Sequence, residues 1–157
     1  MRQIKFRGKN SNDEWVYGSL ITNETENEKG KFQVAFIVPG LPCASDGGDF
    51  YTARMERVKV ETVGQYTGLT DKDGKEIYDG DIVECVSWNE YFSKDGKPME
   101  PFRRKMFVDY RKGGFKMVEP MPEPMEDREW DIIYNGDIVV IGNIHDDPQL
   151  IDMKRLG

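Results

Sequence analysis

The chain has 157 residues, of which 38% are hydrophobic and 32% charged, and it carries a formal net charge of −7. A chain of this length suits one domain or two small subdomains and buries about 70% of its unfolded surface, so it holds a real core. The two cysteines are too few for a disulfide framework or a structural zinc set, and no apolar run is long enough for a signal peptide or a membrane span.

The first nine residues alternate basic and apolar side chains without an acid, which predicts a strand with one solvated face. Trp15–Ile21 predicts a second strand, on which Trp15 and Tyr17 share a face because strand side chains alternate. We interpret this pair as packing between strands and not as a ligand platform.

The next segments alternate between loop and strand patterns. Residues 23–31 are polar and acidic and predict a hairpin loop, after which Phe32–Val38 returns as a nearly continuous apolar strand. Residues 41–50 have the composition of a loop. Thr52–Glu61 alternates loosely, which favours a strand, with one helical turn followed by a strand as the alternative.

The stretch Thr62–Val86 contains more strand and turn signals than any other part of the chain. Two β-prone runs flank the dipeptides Asp73-Gly74 and Asp79-Gly80. Both dipeptides predict type I′ hairpin turns, in which both central residues have positive φ. The four residues between them, Lys75–Tyr78, predict a very short strand or a tight corner of the kind that small β-barrels use.

The carboxylates around Gly74 resemble a calcium loop, but the spacing does not fit. With Gly74 at the sixth position, Leu69 and Gly80 occupy the first and twelfth positions, where carboxylates should stand. We therefore interpret this segment as a solvated hairpin tip.

Several motifs together carry a family resemblance. They are Ile4-Lys5-Phe6-Arg7-Gly8-Lys9, Trp15-x-Tyr17-Gly18, T-V-G-Q-Y-T-G-L at 62–69, D-K-D-G-K-E-I-Y at 71–78, G-D-I-V at 80–83, V-I-G-N-I at 140–144 and D-P-Q-L at 147–150. With these motifs the chain resembles the YopX family of phage and prophage proteins. The resemblance implies a mainly β fold, a small Src-homology-3-like barrel elaborated with additional antiparallel strands and long loops, and it carries over no catalytic residue.

A six-residue motif occurs twice in the chain, with one residue changed. Y-D-G-D-I-V at 78–83 recurs as Y-N-G-D-I-V at 134–139, and each copy leads into an apolar strand, the second predicted over Ile138–Ile144. Either both strands enter a shared core in the same way, or the similarity is a coincidence between two tight turns.

Charge is segregated in the third quarter of the chain. Residues 97–116 contain seven basic residues and two acids, interleaved with aromatic residues, whereas residues 119–131 contain six acids and one arginine. Arg103–Tyr110 and Gly114–Val118 predict a hairpin between loops at 88–101 and 119–130. Clustered cations with aromatic faces suit nucleic acid, and the candidate contacts are Arg103, Arg104, Lys105, Phe107, Tyr110, Arg111 and Lys112. The alternative is that the acidic segment neutralises these cations within the molecule.

The sequence does not favour the hypothesis of an enzyme. The only histidine, His145, is followed by two carboxylates in a predicted turn, and no serine or cysteine motif accompanies it. The sequence therefore predicts one non-enzymatic domain over residues 1–157, or subdomains at 1–61 and 62–157, without cofactor or metal. We expect it to work in the cytoplasm of a bacterial host as a protein-interaction module that binds an unknown protein partner or itself, with nucleic-acid binding as the alternative.

Overall fold

A computed structural model describes residues 3–39, 55–87, 102–122, 124–132 and 138–151. These residues form eleven strands and two 3-10 helices, Val60–Thr62 and Pro148–Leu150, and none of their helices is long and apolar enough to cross a membrane. The strands are β1 (Phe6–Lys9), β2 (Trp15–Asn27), β3 (Gly30–Val38), β4 (Glu56–Val58), β5 (Gly64–Thr70), β6 (Glu76–Tyr78), β7 (Asp81–Ser87), β8 (Phe102–Arg111), β9 (Gly114–Glu119), β10 (Arg128–Asp131) and β11 (Ile138–Asn143).

The strands form two antiparallel sheets, which confirms the predicted mainly β class. One sheet has the order β4-β3-β2-β1-β5-β6 and the other β10-β9-β8-β7-β11. The expected Src-homology-3-like barrel is not confirmed, because in the described residues each sheet ends on two edge strands that do not pair with each other. Contacts divide the chain into two compact units, Met1–Gly68 and Leu69–Gly157.

The core of the first unit lies on one face of its strands. Its buried residues are Val16, Ala35, Ile37 and Val58, with Phe6, Leu20 and Val63 packed against them. Gly8 belongs to the same face, and a Cβ atom there would lie 2.9 Å from Val58 Cγ2. A glycine is therefore required where β1 meets Val58.

The core of the second unit covers both faces of the sheet formed by β7 to β11. The larger cluster contains Ile77, Val83, Cys85, Met106, Val108, Phe115, Met117, Ile132, Ile138 and Val140. The smaller one contains Ile82, Phe107, Val118 and Ile151. Because neighbouring strand residues point to opposite faces, the burial of both Ile82 and Val83 means that apolar side chains cover the sheet on both sides here.

The predicted loop at 23–31 is wrong. β2 runs on to Asn27 and β3 begins at Gly30, in continuous register with β2. The connection is short because the Asn27 Oδ1 accepts the Lys29 N–H at 2.8 Å and Gly30 adopts a φ of 111°. In the described part of the segment predicted as a strand over Thr52–Glu61, residues 55–61, the strand is limited to the three-residue β4 and is followed by the start of a 3-10 helix.

The predicted type I′ turns at the two Asp-Gly pairs are also wrong. Gly74 and Gly80 have φ values of 83° and 81°, but neither preceding aspartate has positive φ. In the first turn the Asp71 carbonyl accepts the Gly74 N–H at 3.0 Å, and in the second the connected strands, β6 and β7, lie in different sheets. The type I′ pattern occurs instead at Lys112 (φ 53°) and Gly113 (φ 83°), which join β8 to β9 and confirm that predicted hairpin.

Some predicted features lie outside the described residues. They are the loop at 41–50, the loop at 88–101 and the Asn135-Gly136 turn of the repeated motif.

Candidate interaction surfaces

The basic and aromatic segment forms β8 and the turn that follows it, and nearly all of its described cations face carboxylates. The ion pairs are Arg103–Glu84 (2.6 Å), Arg104–Glu119 (2.9 Å), Arg111–Asp109 (2.7 Å), Arg111–Glu129 (3.2 Å), Arg111–Asp127 (3.5 Å), Lys112–Glu129 (2.8 Å) and Lys116–Asp131. Most of these acids belong to residues 119–131. The acidic segment therefore folds against the basic one and neutralises it within the molecule.

Strand pairing accounts for this neutralisation. β10 is the edge strand beside β9, and its register places Asp131 opposite Lys116 and Arg128 opposite Glu119. Cross-strand pairs of opposite charge stabilise a sheet by a few tenths of a kcal/mol each. Hydrogen bonds from Lys112 and from Arg111 lower the pKa of Glu129, so this carboxylate stays ionised at neutral pH.

The remaining predicted nucleic-acid contacts divide between core and surface. Phe107 is 5% exposed and packs with Ile82 and Val118, so its ring presents no face to a base. Tyr110 is 56% exposed and meets Phe115 edge-to-face at 5.2 Å. Lys105 is exposed, and within the described part of the chain it makes no ion pair, because the carboxylate across the ladder, Glu84, binds Arg103.

The second basic and aromatic group lies on β1 and β2 in the first unit. The Arg7 guanidinium lies 4.6 Å from the Trp15 ring centroid, and the Lys9 and Lys5 ammonium groups lie 5.4 Å and 5.9 Å from the rings of Trp15 and Tyr17. The antiparallel register places Arg7 opposite Tyr17 and Lys9 opposite Trp15. This arrangement of cations over ring faces agrees with the interpretation of the two aromatics as partners of a neighbouring strand.

The buried carboxylates of Asp71 and Asp81 accept hydrogen bonds from backbone N–H groups at turns, and His145 lies in another turn. Asp71 Oδ1 accepts the N–H groups of Asp73 and Lys75, and its Oδ2 accepts the Val140 N–H, at 2.8 to 3.0 Å. Asp81 Oδ2 accepts the Tyr78 N–H at 2.8 Å. After β11, Asn143 Oδ1 accepts the His145 N–H at 3.0 Å, which makes the segment around His145 an Asx-type turn.

The hairpin of β2 and β3 extends beyond the strands on either side of it. β1 pairs with β2 only up to Gly18, and β4 pairs with β3 only over Ala35–Ile37. Residues 21–36 form the outer part of this hairpin, in which residues 23–34 pair only with each other in the described structure, and most of the side chains are exposed. We call these residues the hairpin arm.

One face of the hairpin arm carries exposed apolar side chains among polar ones. The register pairs Ile21 with Phe36 and Thr25 with Phe32, and both pairs lie on the face opposite the core, since Leu20 and Ile37 point into it. Ile21 is 47% exposed and Phe32 is 37% exposed. Sequence reasoning missed this surface because the polar residues between 22 and 31 suggested a loop. The signals that could have found it were the β-branched residues Ile21, Thr22 and Thr25 and the alternation of Asn23 and Thr25 with Glu24 and Glu26.

Comparisons with known proteins agree with the motifs of the sequence. A family model described as YopX protein matches residues 5–152. Among solved structures, the chain is similar to one described as the crystal structure of protein EF1440 from Enterococcus faecalis, at 23% sequence identity, with 96% of this chain and 99% of that chain covered and a TM-score of 0.47. A comparison with curated proteins finds no match. The family match spans nearly the whole chain.

Proposed function

Because this chain belongs to the YopX protein family, we propose that it is a phage or prophage accessory protein that acts without catalysis, as a protein-interaction module in the cytoplasm of a bacterial host. The observation that carries the proposal is the apolar face of the hairpin arm, with Ile21 and Phe32 exposed. Contiguous exposed apolar side chains rimmed by polar ones mark surfaces that a partner covers.

The structure of the arm supports the same proposal. A two-stranded ribbon is at best marginally stable in water, and no further layer of the described residues packs against the exposed apolar side chains of this one. A protein partner that covers Ile21 and Phe32 removes this apolar surface from water and stabilises the ribbon at the same time. A second copy of the chain would have the same effect.

We also propose that the first unit is arranged as an elaborated Src-homology-3-like module. Two features support this: the neighbour order β4-β3-β2-β1-β5, and the 3-10 helix between β4 and β5, after which β5 returns to pair with β1. A rigid sheet of this kind is a suitable base for a projecting hairpin.

The proposal is tested by partner capture with two matched variants. Ile21→Asp places a charge on the apolar face of the arm, whereas Thr22→Asp places the same charge at the next residue, which points to the opposite face. We expect the wild-type protein and T22D to retain the same partner from a host lysate, or to form the same oligomer in native mass spectrometry, and I21D to retain at least about tenfold less.

Two results would contradict the proposal. One is a wild-type protein that stays monomeric and captures nothing specific, and the other is equal capture by I21D and the wild type. Circular dichroism of both variants serves as the folding control.

A further inference from the structure

Among the described residues, no strand pairs with the first half of β3 on the side of β4, because β4 turns away from it. β4 pairs with Ala35–Ile37, and a continued register would place Lys59 opposite Val34 and Val60 opposite Gln33. Instead, the Lys59 N–H donates to the Lys9 carbonyl at 2.8 Å, and Val60 begins the 3-10 helix. In the described residues, β3 therefore has β2 on one side of Lys31–Val34 and no strand on the other.

A cleft of about 550 Å³ occupies the space that β4 leaves. Gln33 and Val34 line it from the β3 side, and Arg57, Lys59, Val60 and Glu61 line it from the other. The cleft thus combines a strand edge, which presents backbone N–H and C=O groups, with apolar side chains and a few charges. An extended peptide recognises the same combination when it adds to a sheet.

The two basic residues that line the cleft, Arg57 and Lys59, differ in their contacts with carboxylates. The Lys59 ammonium is held by Asp13 at 2.5 Å, and a hydrogen bond from Lys59 to Asp13 raises the pKa of Lys59. Arg57 is exposed and makes no ion pair or hydrogen bond within the described ranges. An arginine in a partly apolar cleft favours a carboxylate, while Glu61 disfavours a second one.

We infer that an extended peptide segment with a single carboxylate side chain flanked by apolar residues adds to the open edge of β3, and that Arg57 binds the carboxylate. The peptide pairs with Lys31–Val34 as an additional strand, and an apolar side chain enters the cleft beside Val34 and Val60. This inference deepens the proposed function, on which it rests, by naming the edge and the chemistry of the partner segment.

The test is a titration of the isotope-labelled full chain, followed by NMR, with the peptide acetyl-Thr-Val-Glu-Val-Thr-amide. We expect chemical-shift changes concentrated in residues 31–34 and 57–61. We expect at least about tenfold weaker binding of the peptide with Gln in place of Glu, since a charge-assisted hydrogen bond is lost. A third peptide, methylated at alternate backbone nitrogens, cannot donate to the strand edge and should cause no shift changes.

The protein variants are Arg57→Gln and, as a control, Lys29→Gln, which removes the same charge from the exposed turn of the hairpin. R57Q should weaken binding of the Glu peptide about tenfold and abolish its advantage over the Gln peptide, while K29Q should bind like the wild type.

Three results would overturn the inference. These are no shift changes at millimolar peptide, unchanged binding by R57Q, and equal binding of the methylated peptide. If the peptide does not bind but partner capture still depends on Ile21, the proposed function stands and only this inference is overturned. Peptide binding at this edge without Ile21-dependent capture would overturn the role of the apolar face instead.

Discussion

Single residues in the second unit stabilise backbone corners through short, charge-assisted contacts. Asp71 is the clearest case, because its carboxylate accepts three N–H groups, two from its own turn and one from Val140 in β11. The side chain is nearly buried, so the three donors take the place of the water that a carboxylate would otherwise bind. The hydrogen bond thereby links the turn to β11, which is an edge strand of the second sheet.

The first prediction concerns Asp71→Asn. An amide group presents N–H donors to backbone N–H groups on one side of the turn, so we expect the free energy of unfolding at neutral pH to fall by about 2 kcal/mol. Urea denaturation followed by circular dichroism measures this change. Asp73→Asn, an exposed change in the same turn, is the control and should stay within about 0.5 kcal/mol of the wild type.

The same residue gives the stability a defined pH dependence. Burial by itself raises the pKa of Asp71, but the N–H donors of Val140, Lys75 and Asp73 and the charge of Lys75 together lower it below the ordinary value. A lowered pKa in the folded state stabilises the protein above the unfolded-state pKa of about 3.9, and this stabilisation is lost as the pH falls through the folded-state pKa. The difference between wild type and D71N should therefore narrow in acid. A difference independent of pH would contradict the assigned cause.

At the scale of elements, the hairpin of β2 and β3 contrasts with the central strands of the second sheet. β7 and β8 are paired on both sides and covered on both faces, whereas the hairpin arm has two strands and no covering layer in the described structure. Local opening is easiest where few apolar contacts hold the backbone.

The prediction at the scale of elements is measured by hydrogen exchange. Amides of residues 23–31 should exchange at least about tenfold faster than those of β7 and β8 in the free protein. Binding of a partner to the arm should slow them, because the bound state stabilises the ribbon. Equal protection of the arm and the central strands in the free protein would show that the ribbon is stable without a partner.

At the scale of the whole molecule, charge is compensated locally although the net charge is −7. Arg103, Arg104 and Arg111 of β8 bind carboxylates of the same sheet, so they contribute little to the long-range field that would attract a polyanion. Nucleic acid binds through cations that release counterions from phosphates, and paired cations must first lose their carboxylates.

The last prediction concerns single-stranded DNA. The wild-type protein should show no salt-dependent binding to oligo-dT at about 150 mM salt. Glu119→Gln with Glu129→Gln removes one carboxylate partner from each of Arg104, Arg111 and Lys112 and should produce salt-sensitive binding in fluorescence anisotropy. Glu24→Gln with Glu28→Gln, the same change of charge on the hairpin, should not. Tight wild-type binding that is lost on changing Arg103, Arg104 and Lys105 to Ala would instead support the nucleic-acid alternative.

Local patterns predicted much of the fold. The β-branched and aromatic runs identified β5, β7 and β11, the hairpin of β8 and β9 was placed correctly, and the family motifs covered nearly the whole chain. The errors occurred where local chemistry was ambiguous. Polar residues in the hairpin arm resembled a loop, because strands that pair with a single neighbour leave most of their side chains in solvent.

The amino-acid sequence by itself determined the mainly β class, the positions of most strands and the family, because alternation and turn residues act over a few neighbouring positions. Only the tertiary structure decided which cations are neutralised, that Phe107 is buried and that Arg57 faces a cleft beside an open strand edge. Each of these depends on which strands lie side by side. Strand order and register arise from contacts between residues far apart in the chain, and no local pattern encodes them.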